Sequence, residues 1–271
     1  MTQTFVVDVP GARLAGEVSG NGPVVVFLHA GIADRRMWRT EMDRLSIDHR
    51  VIAYGRRGFG KSEARERSFS HVDDLIAVLD HNRAERAVLV GCSQGGRIAI
   101  DLALMHPERV SALVLVAPAV TGAPSPATYP PSIAAHIEEL ESAEEDQDLD
   151  RVNELEAWFW LDGPSSQEGR VQGPLRDLFL DMNSIALHHP EIGEERSRPA
   201  ALPRIGQLGM PVLTIWGDLD FEHIQRRSAE IAATAPKGEA FLIAGTAHLP
   251  NLEQPDLFND RLRAFLDKAG F

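Results

Sequence analysis

Cysteine is almost absent from this chain: Cys92 is the one example in 271 residues. A single thiol cannot close an internal disulfide, and it stands far from any Cys/His cluster that could hold zinc. Neither a disulfide framework nor a structural metal is expected. Long apolar runs are missing as well. No window of about 18 uninterrupted apolar residues occurs. Met1 to Pro10 lacks the basic start and apolar stretch of an export signal, so a cytoplasmic location is expected. Basic charge is in deficit, with 27 Lys and Arg against 40 Asp and Glu and a net charge of −13. Wrapping nucleic acid or docking on anionic lipid draws on Lys/Arg-rich surfaces, so neither partner is expected and a small-molecule substrate is the default. Internal repeats and low-complexity tracts are also lacking.

What is present fits an ordinary globular protein: 44% apolar and 25% charged residues. The length suits one large core, or one core with an insertion. A homodimer is compatible with the sequence but is not encoded in any readable way.

Short β-rich runs alternate with helical patterns. Val24 to Leu28, Val51 to Tyr54, Ala87 to Val90, Ala112 to Val116 and Val212 to Trp216 are continuous apolar runs, the form of strands covered on both faces. Arg35 to Leu45, Val72 to Leu79 and Gln94 to Met105 carry apolar residues at helical spacing. A parallel sheet sandwiched by helices is predicted. The alternation breaks after Pro118 and resumes at Pro211. The stretch between holds Pro124, Pro126, Pro130 and Pro131, an acidic run from Glu138 to Asp150, and helical patterns around Leu155 to Leu161 and Leu175 to Leu187. It reads as a helical cap over 121–208, inserted into a core formed by 1–120 and 209–271. The cap holds 17 Asp and Glu against 6 Arg, so it carries nearly all the excess negative charge. Such a run is ordinarily a solvated helix face. A functional alternative is a field that disfavours anionic substrates. Glu253-Gln254-Pro255 opens a last amphipathic helix through Leu257, Phe258, Leu262, Phe265 and Leu266.

The strongest chemical signal is Gly91-Cys92-Ser93-Gln94-Gly95, a G-x-S-x-G directly after a predicted strand and directly before a helical run. A serine on so tight a turn is strained, with its hydroxyl exposed, and its flanking positions must lack bulk. A serine hydroxyl is a poor nucleophile until an imidazole takes its proton, and the imidazole needs a carboxylate to fix its tautomer. Both groups occur beyond later strands. Gly217-Asp218-Leu219-Asp220 follows Val212 to Trp216, and Gly245-Thr246-Ala247-His248 follows Ala240 to Ile243.

Together with His29-Ala30-Gly31 and Arg57-Gly58-Phe59-Gly60-Lys61-Ser62, these motifs fall in register over essentially the whole chain, which resembles a capped α/β-hydrolase. The resemblance implies a mostly parallel eight-stranded sheet flanked by helices, with the cap inserted after the sixth strand. It implies Ser93 as nucleophile and His248 as base. The acid falls on Asp220, the last position of the G-x-x-D turn, with Asp218 the alternative. Backbone N–H groups of Gln94 and Gly31 would form the oxyanion hole. Ala30 stands where the family has glycine, which leaves Gly31 and Ala30 as alternatives. Gly55 stands where relatives mostly carry Asp. No cofactor or metal is implied.

Other residues invite competing readings. Cys92 should point into the sheet as a small apolar group. His29 should pack beneath the oxyanion loop. His106, His188 and His189 read as surface or capping histidines. Trp38, Trp158, Trp160 and Phe179, with Phe159, either line an apolar substrate pocket or fix the cap to the core. The expected reaction is hydrolysis of a carboxylic ester or lactone of a small, apolar, non-anionic substrate through an acyl-enzyme. Alternatives are hydrolysis of a carbon–carbon bond of the meta-cleavage type, or perhydrolase or haloperoxidase-like activity. A different class is a receptor that keeps the triad and turns nothing over.

Overall fold

A computed structural model describes residues 2–271. The strands are β1 (Gln3–Val9), β2 (Ala12–Ser19), β3 (Val24–Leu28), β4 (Arg50–Tyr54), β5 (Glu63–Ala64), β6 (Ala87–Cys92), β7 (Val110–Val116), β8 (Val212–Gly217) and β9 (Gly238–Ile243). Eight of them form one path, β1-β2-β4-β3-β6-β7-β8-β9, and the two-residue β5 pairs with β2 beside it. The sheet therefore has the eight strands expected plus one short edge pairing. β1, β2 and β4 pair antiparallel in succession, and every pair from β4 to β9 along the path is parallel.

The helices are α1 (Arg39–Leu45), α2 (His71–His81), α3 (Gln94–Met105), α4 (Pro131–Glu145), α5 (Leu149–Ala157), α6 (Pro174–Leu187), α7 (Glu222–Thr234), α8 (Pro250–Glu253) and α9 (Pro255–Ala269). Leu75, Leu79, Ile98 and Leu102 of α2 and α3 bury against one sheet face. Met42, Leu45, Phe258, Leu262 and Phe265 of α1 and α9 bury against the other. Covering on both faces is the physical reason that β3, β4, β6, β7 and β8 read as unbroken apolar runs. The chain leaves the sheet after Val116 and returns at Val212, with α4, α5 and α6 between.

Because β3 lies between β4 and β6, the chain first steps to one side of β3 and then to the other. Strand order reverses at the carboxyl ends of β3 and β6, the place where open α/β sheets bind ligands. The loop His29-Ala30-Gly31 and the turn at Ser93 both emerge there.

One buried carboxyl has no ion pair among the described residues. Glu41 in α1 is fully enclosed, and its Oε1 accepts from Asn259 Nδ2 at 2.9 Å. Glu41 Oε2, Asn251 Oδ1 and Asn259 Oδ1 are buried without a partner. Burial pushes the Glu41 carboxyl up to about 7 from 4.5. Its folded value thus exceeds its unfolded one. The cost of burying it is absent below pH 4.5, grows as pH rises and is complete above about 7. Glu41→Gln should leave thermal stability nearly unchanged at pH 4.5 and raise it at pH 8 by about 3 kcal/mol, since the carboxyl is pushed from 4.5 to about 7 and one pKa unit corresponds to about 1.4 kcal/mol. Melting curves at the two pH values measure this. An equal change at both would show that Glu41 is not held neutral.

Candidate active site

β6 delivers Ser93 in a backbone conformation with φ +50° and ψ −114°, which costs a non-glycine residue about 1–3 kcal/mol. Three backbone hydrogen bonds hold it there. The Ser93 N–H donates to the Val116 carbonyl at 2.9 Å, and the Ser93 carbonyl accepts from Arg97 and Ala119, both at 3.0 Å. The turn is also sterically closed to side chains. A Cβ added at Gly95 would stand 2.2 Å from the Leu28 carbonyl oxygen, and one at Gly91 would stand 2.5 Å from that of Gly95. The serine itself stays partly exposed, whereas Cys92 is wholly buried.

The loops after β8 and β9 bring a carboxylate and an imidazole together. Asp220 is buried; its Oδ2 lies 2.7 Å from His248 Nδ1, and its Oδ1 accepts the Phe221 N–H at 2.7 Å. A carboxylate only accepts, so Nδ1 carries the ring proton and Nε2 is left as the free base. Asp218 is exposed and faces elsewhere. Its Oδ1 accepts the Gly245 N–H at 2.6 Å, bracing the acid turn against the histidine loop. No hydrogen bond joins Ser93 Oγ to His248 among the described residues. The two loops touch one residue away, where the Cys92 thiol reaches the His248 carbonyl at 3.7 Å. Contacts between nucleophile and base commonly tighten only when substrate binds.

The loop His29-Ala30-Gly31 is pinned by buried side chains. The Arg56 N–H donates to His29 Nε2 at 2.9 Å, so His29 Nδ1 carries the proton and donates to the Ala30 carbonyl at 2.7 Å. Burial, reinforced by the Arg56 charge, holds the His29 pKa well below the usual imidazole value. Arg56 Nη2 donates to the same carbonyl at 3.0 Å. In a trans peptide the N–H points opposite to the C=O, so fixing the Ala30 carbonyl turns the Gly31 N–H away from this cluster. The Ala30 N–H is already aimed at the Met37 sulfur, 3.4 Å away. Of the two alternatives left open by sequence, Gly31 is the one whose donor is free.

A profile of the alpha/beta hydrolase family matches residues 25–261, nearly the whole chain. The chain belongs to that family. A Bacillus subtilis protein with the provisional name 2-succinyl-6-hydroxy-2,4-cyclohexadiene-1-carboxylate synthase is 29% identical, over 94% of this chain and 95% of its own length. A pimeloyl-[acyl-carrier protein] methyl ester esterase from Vibrio atlanticus is 28% identical, over 93% and 97%. Among solved structures, a thermophilic esterase from Thermogutta terrifontis superposes with a TM-score of 0.77 at 23% identity, covering 99% of this chain and all of that one.

In this alpha/beta hydrolase the aromatic pocket candidates divide. Trp38 is completely enclosed between Phe27 and Phe258, with ring centroids 5.2 and 6.2 Å away. Phe179 is equally enclosed. Both belong to the core between sheet and helices and present no surface to a ligand, so the expectation that they line a pocket is corrected. Their apolar character signalled burial, and a sequence does not say against what. Trp158 is nearly buried, donates to the Ser166 carbonyl at 2.9 Å and stacks on His136. Trp160 is different. A short π-helix, Trp158–Asp162, follows α5 and turns Trp160 over the imidazole, with ring centroids 4.7 Å apart. Its carbonyl also accepts the His248 N–H at 3.2 Å.

Two further supports were not visible in the sequence. Arg170 donates to the Leu161 carbonyl at 2.7 Å and to Glu253 Oε2 at 2.5 Å, while Glu253 Oε1 accepts the Ala247 N–H at 2.7 Å. The segment between β7 and β8 thereby grips the loop that carries His248. The second is Arg56, whose one sequence signal is a pair of arginines just past a buried strand.

Proposed function

We propose that the protein is a serine hydrolase that cleaves a carboxylic ester or lactone of a small, apolar, non-anionic substrate, and that residues 121–208 form a cap over its site. The observation that carries this reading is the buried Asp220–His248 pair beside a strained, partly exposed Ser93.

The reaction follows from the groups present. His248 Nε2 takes the proton of Ser93 Oγ as the oxygen attacks the ester carbonyl. Asp220 keeps the ring in the tautomer that leaves Nε2 free, and stabilises the imidazolium that forms. The developing oxyanion lies between the N–H groups of Gly31 and Gln94, fixed before reaction and needing no reorganisation. His248 then gives the proton to the departing alcohol. Water, deprotonated by the same imidazole, releases the acid and restores Ser93. Trp160 and Phe221, 5.2 Å apart by ring centroids, supply apolar wall next to the imidazole. The excess of acidic residues in 121–208 disfavours anionic substrates.

A panel of p-nitrophenyl esters of graded acyl length, simple lactones and a vinylogous diketone tests the reading. Esters or lactones should turn over with no added metal or cofactor, and short neutral acyl groups should be preferred. Turnover of the diketone alone would move the reaction to carbon–carbon cleavage. Saturable binding of esters without release of alcohol would make the protein a receptor.

A further inference from the structure

Arg56 is a fully buried cation whose role goes beyond pinning the oxyanion loop. Besides its bond to the Ala30 carbonyl, its Nη1 donates to Gln94 Oε1 at 2.8 Å, and its guanidinium lies 4.4 Å from the Phe59 ring centroid. Its Nε is buried and unpartnered. A guanidinium has donors and no acceptor, so it can meet the Gln94 carboxamide only through the oxygen. This fixes which way the amide faces. Nε2 is the arm left free of Arg56, on an exposed residue, and has no partner among the described residues. It also flanks Gly31 closely: a Cβ added there would stand 3.0 Å from Nε2.

The consequence is a third N–H donor beside the two backbone donors assigned to the oxyanion. We propose that the Gln94 carboxamide, oriented by Arg56, is a specificity-determining group that donates to an oxygen on the α carbon of the acyl group. The substrate class narrows to esters or lactones whose otherwise apolar, uncharged acyl group carries one ether, hydroxyl or keto oxygen next to the scissile carbonyl. The argument rests on the hydrolase reading above. Nε2 stands close beside Gly31, whose N–H is assigned to the acyl carbonyl oxygen, and the α carbon is the acyl atom next to that carbonyl, so its substituent is the one this amide is placed to meet. Plain alkyl acyl groups place methylene against the amide and take it out of water unpaired, which costs binding. Arg56 acts as a positioning residue: without it the amide can flip and present its oxygen, which repels an acceptor.

The test compares p-nitrophenyl methoxyacetate with p-nitrophenyl butyrate, which differ by oxygen in place of one methylene. For each protein the readout is the ratio of kcat/KM for the two esters. Gln94→Met keeps length and removes the donor, and should lower this ratio about tenfold relative to wild type, the worth of one hydrogen bond in such a site. Arg56→Met should lower it in the same direction, and the double substitution should lower it no further than Gln94→Met alone. Loss of a merely structural contact would slow both esters alike and leave the ratio in place. An unchanged ratio in Gln94→Met overturns the proposal even if Arg56→Met fails to fold. Fluorophosphonate labelling of wild-type Ser93 separates the two levels. A labelled enzyme with an unchanged ratio in Gln94→Met sinks this proposal alone, whereas a wild type that neither labels nor hydrolyses any ester sinks the hydrolase reading and this proposal with it.

Discussion

Ser93→Ala should abolish fluorophosphonate labelling and lower kcat for esters by about 10⁶-fold, the scale seen when the serine of such a relay is removed. The alanine methyl group fits the same turn, because the backbone there is held by bonds to Val116, Arg97 and Ala119, none of which uses the hydroxyl. The fold should therefore survive, and the loss can be read as chemistry. Residual hydrolysis above the background in water would remain, since the backbone N–H groups proposed to hold the oxyanion are untouched. Thermal unfolding in parallel checks the fold. Wild-type activity in the alanine variant would remove Ser93 as the nucleophile.

Asp220→Asn should cost about 10⁴-fold in kcat with little change in structure. The asparagine can offer its amide to His248 Nδ1 and so stabilise the tautomer that carries the proton on Nε2, where it cannot act as a base. It can also keep its oxygen toward the Phe221 N–H, which now meets Asp220 Oδ1 at 2.7 Å. Asp218→Asn should cost far less. Its carboxylate touches the Gly245 N–H and not the ring, and an amide oxygen can accept the same bond. Steady-state kinetics of the two variants on one ester, with the pH profile of kcat/KM, rank them. A larger loss at Asp218 would transfer the acid role to it.

The fold was legible in the sequence where strands are covered on both faces. β3, β4, β6, β7 and β8 are unbroken apolar runs because helices lie above and below them. β1 and β2 gave no such signal: their residues alternate between exposed and buried positions on an antiparallel edge, and local pattern alone does not distinguish that from loop. The π-helix at Trp158–Asp162 was unreadable for a related reason. The segment looks like a continued apolar helix, and the widened turn shows only in its backbone bonding, where the Gly163 N–H donates to the Trp158 carbonyl five residues back at 2.9 Å.

The sequence by itself determined the family and the order of the chemical groups. Gly91, Gly95 and Gly96 announce a turn too crowded for side chains, and the serine, the carboxylates and the histidine each follow a strand recognisable by its apolar run. These are local signals, set by sterics and by the period of a buried strand, and local signals survive in a linear string. Only the tertiary structure shows that Asp220 and not Asp218 meets the His248 ring, and that the Ala30 N–H is turned to the Met37 sulfur. It alone placed Trp38 and Phe179 in the core while leaving Trp160 over the imidazole. Those outcomes depend on which atoms meet across tens to hundreds of residues, as when Arg56 meets Gln94 or Cys92 meets His248. Direction and distance of that kind arise from packing, which no stretch of sequence carries alone.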